Sequence, residues 1–127
     1  MHAQSPEELP EIFRRCFNAG DVDGLMASYY ASDATYAPLP GQIVSGDDDV
    51  RAAIAGLVEL GHEMSVTLCH TLRAGDAALL IVDWEIPAIG MTGTATDVAR
   101  VQEDGTWRCV IDNPHGGVRE VPGIPSL

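Results

Sequence analysis

The chain has 127 residues, of which 46% are hydrophobic and 20% are charged, and its formal net charge is −12. This length fits one domain that can bury about two thirds of the surface exposed by its unfolded chain. The composition is that of a globular protein, not of a disordered tail. Because the negative charge repels phosphate backbones and anionic membrane surfaces, we expect no nucleic-acid or membrane partner.

The N-terminus and the cysteines indicate a cytoplasmic protein. No basic segment followed by an apolar core is present at the N-terminus, so no secretory signal is predicted. Cys16, Cys69 and Cys109 are an odd set without C-x-x-C spacing. That pattern argues against a disulfide framework or a zinc site and favours reduced, buried thiols. We expect neither a metal nor another cofactor.

Three helices are predicted in the first half of the chain. The sequence of residues 5–8, Ser-Pro-Glu-Glu, is a capping box with proline at the first helical position. Asp21 begins a second, shorter helix through about Tyr30, and three aspartates at 47–49 begin a third. The expected buried faces contain Leu9, Ile12, Phe13, Cys16 and Phe17, then Val22, Leu25, Met26 and Tyr29, then Val50, Ala53, Ile54, Leu57 and Leu60.

The rest of the chain predicts strands. Two short strands are expected at residues 33–37 and 43–44, before the third helix. After it the apolar residues recur with a period of two, which is typical of half-buried strands. His70 shares one strand face with apolar neighbours, and Trp84 lies opposite Asp83 and Glu85, which we expect to be solvated or to face a dimer partner. An Asp-Gly pair at 104–105 predicts the turn of a final hairpin.

Helices followed by a meander of long strands predict an α+β fold. We expect a strongly curved antiparallel sheet, with the three N-terminal helices packed on its concave side and a cone-shaped pocket between the two layers. Residues 1–127 are predicted to form a single domain, in which about 118–127 are an irregular tail because they contain two prolines.

Asp97 is the candidate catalytic residue. It shares a predicted strand face with Ala95, Ala99 and other small or apolar side chains. An ionised carboxylate is costly there unless its pKa rises or a partner satisfies it. The alternative is that Asp97 bonds to a neighbouring tryptophan, tyrosine or arginine and only organises the core.

Two stretches, residues 17–41 and 93–116, carry the patterns N-A-G-D-x-D-G, A-x-D-A-T and D-G-x-W-R in that order. This combination resembles nuclear transport factor 2-like proteins, in the bacterial branch of SnoaL-like polyketide cyclases and ketosteroid isomerases. The resemblance is specific for the fold and not for one activity. In a ketosteroid isomerase, Asp97 matches the oxyanion-hole aspartate, Phe13 stands where the oxyanion-hole tyrosine would be, and Pro38 or its neighbour replaces the general base. Ketosteroid isomerase activity itself is therefore not expected.

Seven more side chains are predicted to line the pocket. Trp84 offers a flat apolar ring and one N–H donor. Tyr29 and Tyr30 are neighbours on a predicted helix, so one is expected to reach the pocket and the other the surface. His115 follows the last strand and could act as a mobile general base, whereas His70 is more typical of a core or interface residue. The set is Phe13, Tyr29, Tyr36, His70, Trp84, Asn113 and His115.

These observations predict a protein whose pocket binds a small molecule. As an enzyme it would be a cofactor-independent isomerase, cyclase or dehydratase acting on a small apolar carbonyl compound, because such proton transfers need an acid or base in a water-poor cavity and no nucleophile or metal. The alternative is a non-catalytic dimeric module for ligand binding or association. In either case the resemblance implies a homodimer formed through the outer face of the sheet.

Overall fold

The computed structural model describes residues 1–117, and the predicted tail at 118–127 lies outside them. Three helices and six strands form two layers. Within residues 1–117, no helix is long and apolar enough to cross a membrane. In chain order the elements are a 3-10 turn at Pro6–Glu8, α1 at Leu9–Asn18, α2 at Val22–Ser28, β1 at Tyr30–Leu39, β2 at Gln42–Ser45, α3 at Asp47–Val58, β3 at Ser65–Ala74, β4 at Ala77–Ile86, a 3-10 turn at Pro87–Ile89, β5 at Met91–Val101 and β6 at Trp107–Asp112.

The strand order in the curved sheet is β2-β1-β6-β5-β4-β3. The predicted meander from β3 to β6 is antiparallel throughout. The pair formed by β1 and β6 is parallel, so the sheet is mixed. No turn connects β1 to β6, and no local sequence signal therefore sets their relative direction.

The helices begin where the caps predict and pack on one face of the sheet. The backbone N–H of Ser5 donates to the Glu8 carboxylate at 2.9 Å, and the Asp21 side chain accepts from the Gly24 N–H at 2.8 Å. Helix α1 contacts β3, while α2 and α3 contact β1. One predicted core residue is wrong, because α3 ends at Val58, which is buried, and leaves Leu60 55% exposed.

The core lies between these helices and the concave face of the sheet. Its largest fully buried side chains include Leu9 from α1, Leu25 from α2, Ile54 from α3, and Leu80 and Ile86 from β4. Burying each such side chain contributes about 1.5–3 kcal/mol relative to leaving it exposed. The helices and the sheet are thus joined by one apolar core.

A bulge in β3 changes which side chains of that strand face the helices. Its register with β4 passes from Leu68 opposite Val82 to His70 opposite Ile81, so Cys69 is an extra residue. An extra residue turns every later side chain to the other face. The expectation that His70 faces the pocket is therefore corrected: its side chain is exposed. The same bulge leaves Cys69 exposed, unlike the two other free thiols, which are buried as predicted.

A second bulge lies in β6. Its register with β5 passes from Ala99 opposite Cys109 to Val98 opposite Ile111, so Val110 is the extra residue. Beyond it, Ile111 is 43% exposed and Asp112 is only 6% exposed. A carboxyl group that regular alternation would place outside is therefore turned into the core.

Candidate functional site

A cavity lies between the helices and the concave face of the sheet. Its volume is about 60 Å³, which is room for on the order of four water molecules. Most of the side chains around it are apolar, and α1, α3, β1, β3, β4 and β5 all contribute to them. Among those that line it are Phe13, Ile54, Leu57, Met64, Val66, Val82, Trp84, Met91 and Ala95.

Two carboxyl groups line one part of this apolar cavity. Asp97 comes from β5 and Asp112 from the end of β6, and each is 6% exposed. The Asn113 backbone N–H donates to Asp97 Oδ1 at 2.8 Å, and the Tyr30 hydroxyl donates to Asp112 Oδ2 at 2.5 Å. The two carboxyl groups also hydrogen-bond to each other. They form a buried acid pair, in which the Asn113 N–H holds Asp97 and the Tyr30 hydroxyl holds Asp112.

The apolar environment raises the pKa of both carboxyl groups of the pair. Burial raises the pKa of Asp97 well above its ordinary value, and the nearby Asp112 charge raises it further. Burial also raises the pKa of Asp112, to about 6, although the hydrogen bonds from Tyr30 and Asp97 stabilise its ionised form. The two carboxyl groups therefore titrate as a coupled pair, in which burial and the neighbouring charge favour retention of a proton by Asp97.

Asp112 and Tyr30 are the members of this site that the sequence did not predict. Alternation from Trp107 would place Asp112 on the outer face of β6, and the bulge reverses that placement. A signal is nevertheless present in the three consecutive apolar residues at 109–111, because a strand that is buried on one face should alternate there. The position of the bulge within this run depends on pairing with β5.

The two adjacent tyrosines are both buried, 4% exposed for Tyr29 and 1% for Tyr30. The expectation that one of them reaches the surface is wrong, because α2 ends at Ser28 and Tyr30 is the first residue of β1. Tyr29 lines the cavity, and its ring packs edge-on against those of Phe13 and Tyr30 at 4.9 and 4.8 Å. Tyr30 instead holds Asp112 from behind the cavity wall.

Trp84 is a flat apolar wall of the cavity. Its indole N–H donates to the Pro114 carbonyl oxygen at 2.7 Å, so that donor is already used within the protein. Its ring lies over Gly93 in β5, where an added Cβ atom would come within 2.8 Å of the ring. Only glycine therefore fits opposite Trp84 without displacing the ring.

The segment after β6 continues alongside β5 and is fixed by hydrogen bonds. The Thr96 N–H donates to the Asn113 carbonyl oxygen at 3.0 Å, and the Gly117 N–H donates to that of Thr94 at 2.8 Å. His115, which was expected in a mobile loop, is held between these two bonds, with its ring 5.4 Å from that of Trp84. The loop is therefore a structured part of the cavity wall.

The structure brings most of the predicted site residues together. His70 does not line the cavity, and Asn113 contributes its backbone N–H to Asp97 rather than a side chain to the cavity wall. The predicted site residues that line the cavity are Phe13, Tyr29, Tyr36, Trp84, Asp97 and His115.

Comparison with known proteins gives one family and a common fold. The SnoaL-like domain family matches residues 11–110 of this chain. No curated protein matches the sequence.

Several solved structures share the fold at low sequence identity. A protein from Thiobacillus denitrificans, provisionally described as a calcium/calmodulin-dependent protein kinase type II association domain, has a TM-score of 0.73 and 24% identity over 89% of this chain and 95% of its own. An NTF2-like family protein from Streptomyces avermitilis, provisionally described as a dehydratase, has a TM-score of 0.70 and 18% identity over 84% and 88%. An NTF2-like protein of unknown function from Shewanella oneidensis has a TM-score of 0.68 and 21% identity over 84% and 92%.

Proposed function

The chain belongs to the SnoaL-like domain family, and from that premise we propose that it binds a small apolar carbonyl compound and transfers a proton beside the carbonyl group. The reaction would be of the isomerase, cyclase or dehydratase type and would need no cofactor. One observation carries this proposal: two carboxyl groups, Asp97 and Asp112, lie paired in an otherwise apolar cavity that raises the pKa of both.

The two carboxyl groups have different roles in this reaction. On binding, the carbonyl oxygen of the ligand replaces Asp112 as the acceptor of the Asp97 O–H, and this donor stabilises the negative charge that develops on that oxygen. The Asp112 carboxylate accepts the proton of the adjacent carbon. The electrons of the broken C–H bond form a carbon–carbon double bond, those of the carbonyl double bond move onto the carbonyl oxygen, and the Asp97 O–H stabilises the resulting enolate. In a conjugated enolate, return of the proton to another carbon re-forms the carbonyl group, completes an isomerisation and leaves the pair with one proton.

The surroundings of the pair support these roles of Asp97 as hydrogen-bond donor and Asp112 as base. A base works best when its pKa lies near the working pH, and the pKa of Asp112 is raised to about 6. The Tyr30 hydroxyl fixes one Asp112 oxygen, and the Asn113 N–H fixes one Asp97 oxygen. The apolar walls strengthen each of these electrostatic contacts, because they exclude water from the reacting groups. The small cavity favours compounds of only a few non-hydrogen atoms.

Deuterium exchange tests the proposal directly. In heavy water, proton NMR of butanone would show loss of the signals from the carbons beside the carbonyl group when the protein catalyses proton transfer. Asp112→Asn should slow this exchange by about 100-fold or more, because it removes the base. Asp97→Asn should slow it as well, since an amide is a weaker donor to the developing oxyanion.

A carboxyl group far from the cavity provides the matched control. Asp48 is exposed in the first turn of α3, so Asp48→Asn makes the same chemical change without touching the site and should leave exchange unaltered. The proposal is overturned if the native protein exchanges no small ketone faster than buffer does, or if Asp112→Asn exchanges as fast as the native protein.

A second candidate function is association with another copy of the chain. Three large apolar side chains are exposed on adjacent strands, Ile43 on β2 at 71%, Leu39 on β1 at 46% and Ile111 on β6 at 43%. An apolar patch of this kind is typical of an interaction surface. Light scattering during size-exclusion chromatography should show a dimer that Ile43→Glu converts to a monomer; a monomeric native protein would contradict this candidate.

A further inference from the structure

One buried polar atom in the cavity wall has no use in the site described so far. His115 Nε2 is shielded from solvent and has no hydrogen-bond partner within residues 1–117. Burying such an atom unpaired costs free energy, and an exception of this kind in a folded protein calls for an explanation. A ligand in the cavity would provide the missing partner.

The position of His115 is set by contacts that leave this atom unused. The bonds that hold the loop join Asn113 to Thr96 and Gly117 to Thr94. The neighbouring donor, the Trp84 N–H, is bound to the Pro114 carbonyl oxygen. The imidazole is therefore held beside the cavity, and rotation of its ring would bring Nε2 to a ligand while the hydrogen bonds of the loop stay in place.

His115 lines the same cavity as the carboxyl pair, Asp97 and Asp112. Asp112 and His115 also line a second cavity, to which β1, the turn after it and the segment after β6 contribute. Because both residues border both cavities, they lie in the wall between them, and a ligand that fills the first cavity lies against both.

We propose that His115 Nε2 is a second polar anchor of the cavity and that the ligand is a small hydroxycarbonyl compound. The carbonyl oxygen lies at Asp97, and the ligand hydroxyl donates to His115 Nε2. Only the placement of the carbonyl group rests on the proposed function; the hydroxyl anchor follows from the unpaired imidazole nitrogen.

The electrostatics of the site favour a neutral second group. The ionised Asp112 borders the same wall, and the chain carries a formal charge of −12. A carboxylate or phosphate at this position would be repelled by both. A hydroxyl group can satisfy the imidazole nitrogen without that repulsion.

Matched ligands test the anchor. Hydroxyacetone and butanone have the same number of non-hydrogen atoms and differ by a hydroxyl in place of a methyl, and 4-hydroxy-2-butanone and 2-pentanone differ in the same way with a longer spacing. Dissociation constants from ligand-observed NMR should favour one or both hydroxyketones by about tenfold in the native protein, since a buried polar group rewards the ligand that pairs with it.

Substitution of His115 should remove this selectivity. His115→Phe keeps a ring and has no nitrogen, so the ratio of the two dissociation constants should fall to about one. His115→Gln restores an acceptor and should keep a ratio of about three, which guards against misfolding of the first variant. A native ratio of one for both pairs, or a tenfold ratio that persists in His115→Phe, would overturn the anchor.

The outcome is independent of the test of proton transfer. The anchor is measured as a ratio of affinities, whereas the proposed function is measured as deuterium exchange on butanone, which has no hydroxyl. Absence of exchange together with a His115-dependent ratio would reject the catalytic proposal and keep the anchor. Exchange in a protein without hydroxyl selectivity would reject the anchor alone.

Discussion

Strands β3 and β6 each contain one extra residue, Cys69 in the first and Val110 in the second, and beyond it each strand turns its side chains over. In β3 the reversal exposes His70, where water solvates it. In β6 the reversal buries Asp112, which then depends on Tyr30 and on Asp97 for its hydrogen bonds.

The comparison shows that one kind of backbone irregularity has very different energetic consequences. A polar side chain that is turned outward needs no partner in the protein. A carboxyl group that is turned inward needs donors already in place, because an unpaired buried charge is costly. The β6 bulge is therefore tied to the site, and bulges of this kind often re-aim a side chain near an active site.

Truncation of the inward-turned carboxyl group would break the comparison most strongly. Asp112→Ala leaves the buried Tyr30 hydroxyl and the buried Asp97 carboxyl without their partner. We expect a loss of about 3 kcal/mol in the free energy of unfolding at pH 4, because two buried polar groups become unpaired. Asp48→Ala truncates an exposed carboxyl group in the same way and should cost only about 0.5 kcal/mol. Equal losses in urea unfolding would contradict the inward placement of Asp112.

The pH dependence of stability should reveal the buried pair. The pKa of Asp112 is raised to about 6, above its unfolded value of about 3.9, and that of Asp97 is raised in the same direction. The folded state therefore binds more protons than the unfolded state. The contribution of the two carboxyl groups to the free energy of unfolding is fully present below about pH 4 and is lost as the pH rises through 6. For Asp112 this loss is on the order of 3 kcal/mol.

Asparagine variants isolate that contribution from the other charges of the chain. Urea unfolding of the native protein and of Asp112→Asn at several pH values between 4 and 8 should give curves that converge at low pH and separate as the pH rises, with the native protein losing more stability. Parallel curves over this range would mean that the Asp112 carboxyl does not titrate abnormally.

Removal of a single hydroxyl should have an intermediate effect. Tyr30→Phe takes away the donor to Asp112 Oδ2 and should lower the free energy of unfolding at pH 7 by about 1.5–3 kcal/mol, the usual contribution of a hydrogen bond to a charged group. The pKa of Asp112 should rise, as NMR titration of its carboxyl carbon would show. An unchanged pKa would indicate that the hydroxyl does not stabilise the ionised form.

The smallest effect on stability is expected for His70, the side chain that the β3 bulge turns outward. His70→Ala should change the free energy of unfolding by less than about 0.5 kcal/mol, because the side chain is exposed. Ketone exchange should be unaffected in the same variant. A clear loss of exchange would show that the β3 bulge does not keep His70 away from the site.

Local sequence signals predicted the helices and the inward position of Asp97, one member of the acid pair. The capping box at residues 5–8 and the cap at Asp21 begin helices as expected, since caps depend only on contacts within a few residues. Strands β4 and β5 pair without a register shift from Ala77 opposite Arg100 to Ile86 opposite Met91. Alternation along β5 was therefore enough to place Asp97 inside.

Tertiary structure decided the position of Asp112, the other member of the acid pair. The inward turn of Asp112 depends on a bulge formed against β5, and the placement of Tyr30 depends on the parallel pairing of β1 with β6. These pairings join residues far apart in the chain, and their register is selected by packing of the whole sheet rather than by the residues beside them. The sequence alone therefore identified an acid in an apolar pocket, and the assembled sheet supplied its charged partner.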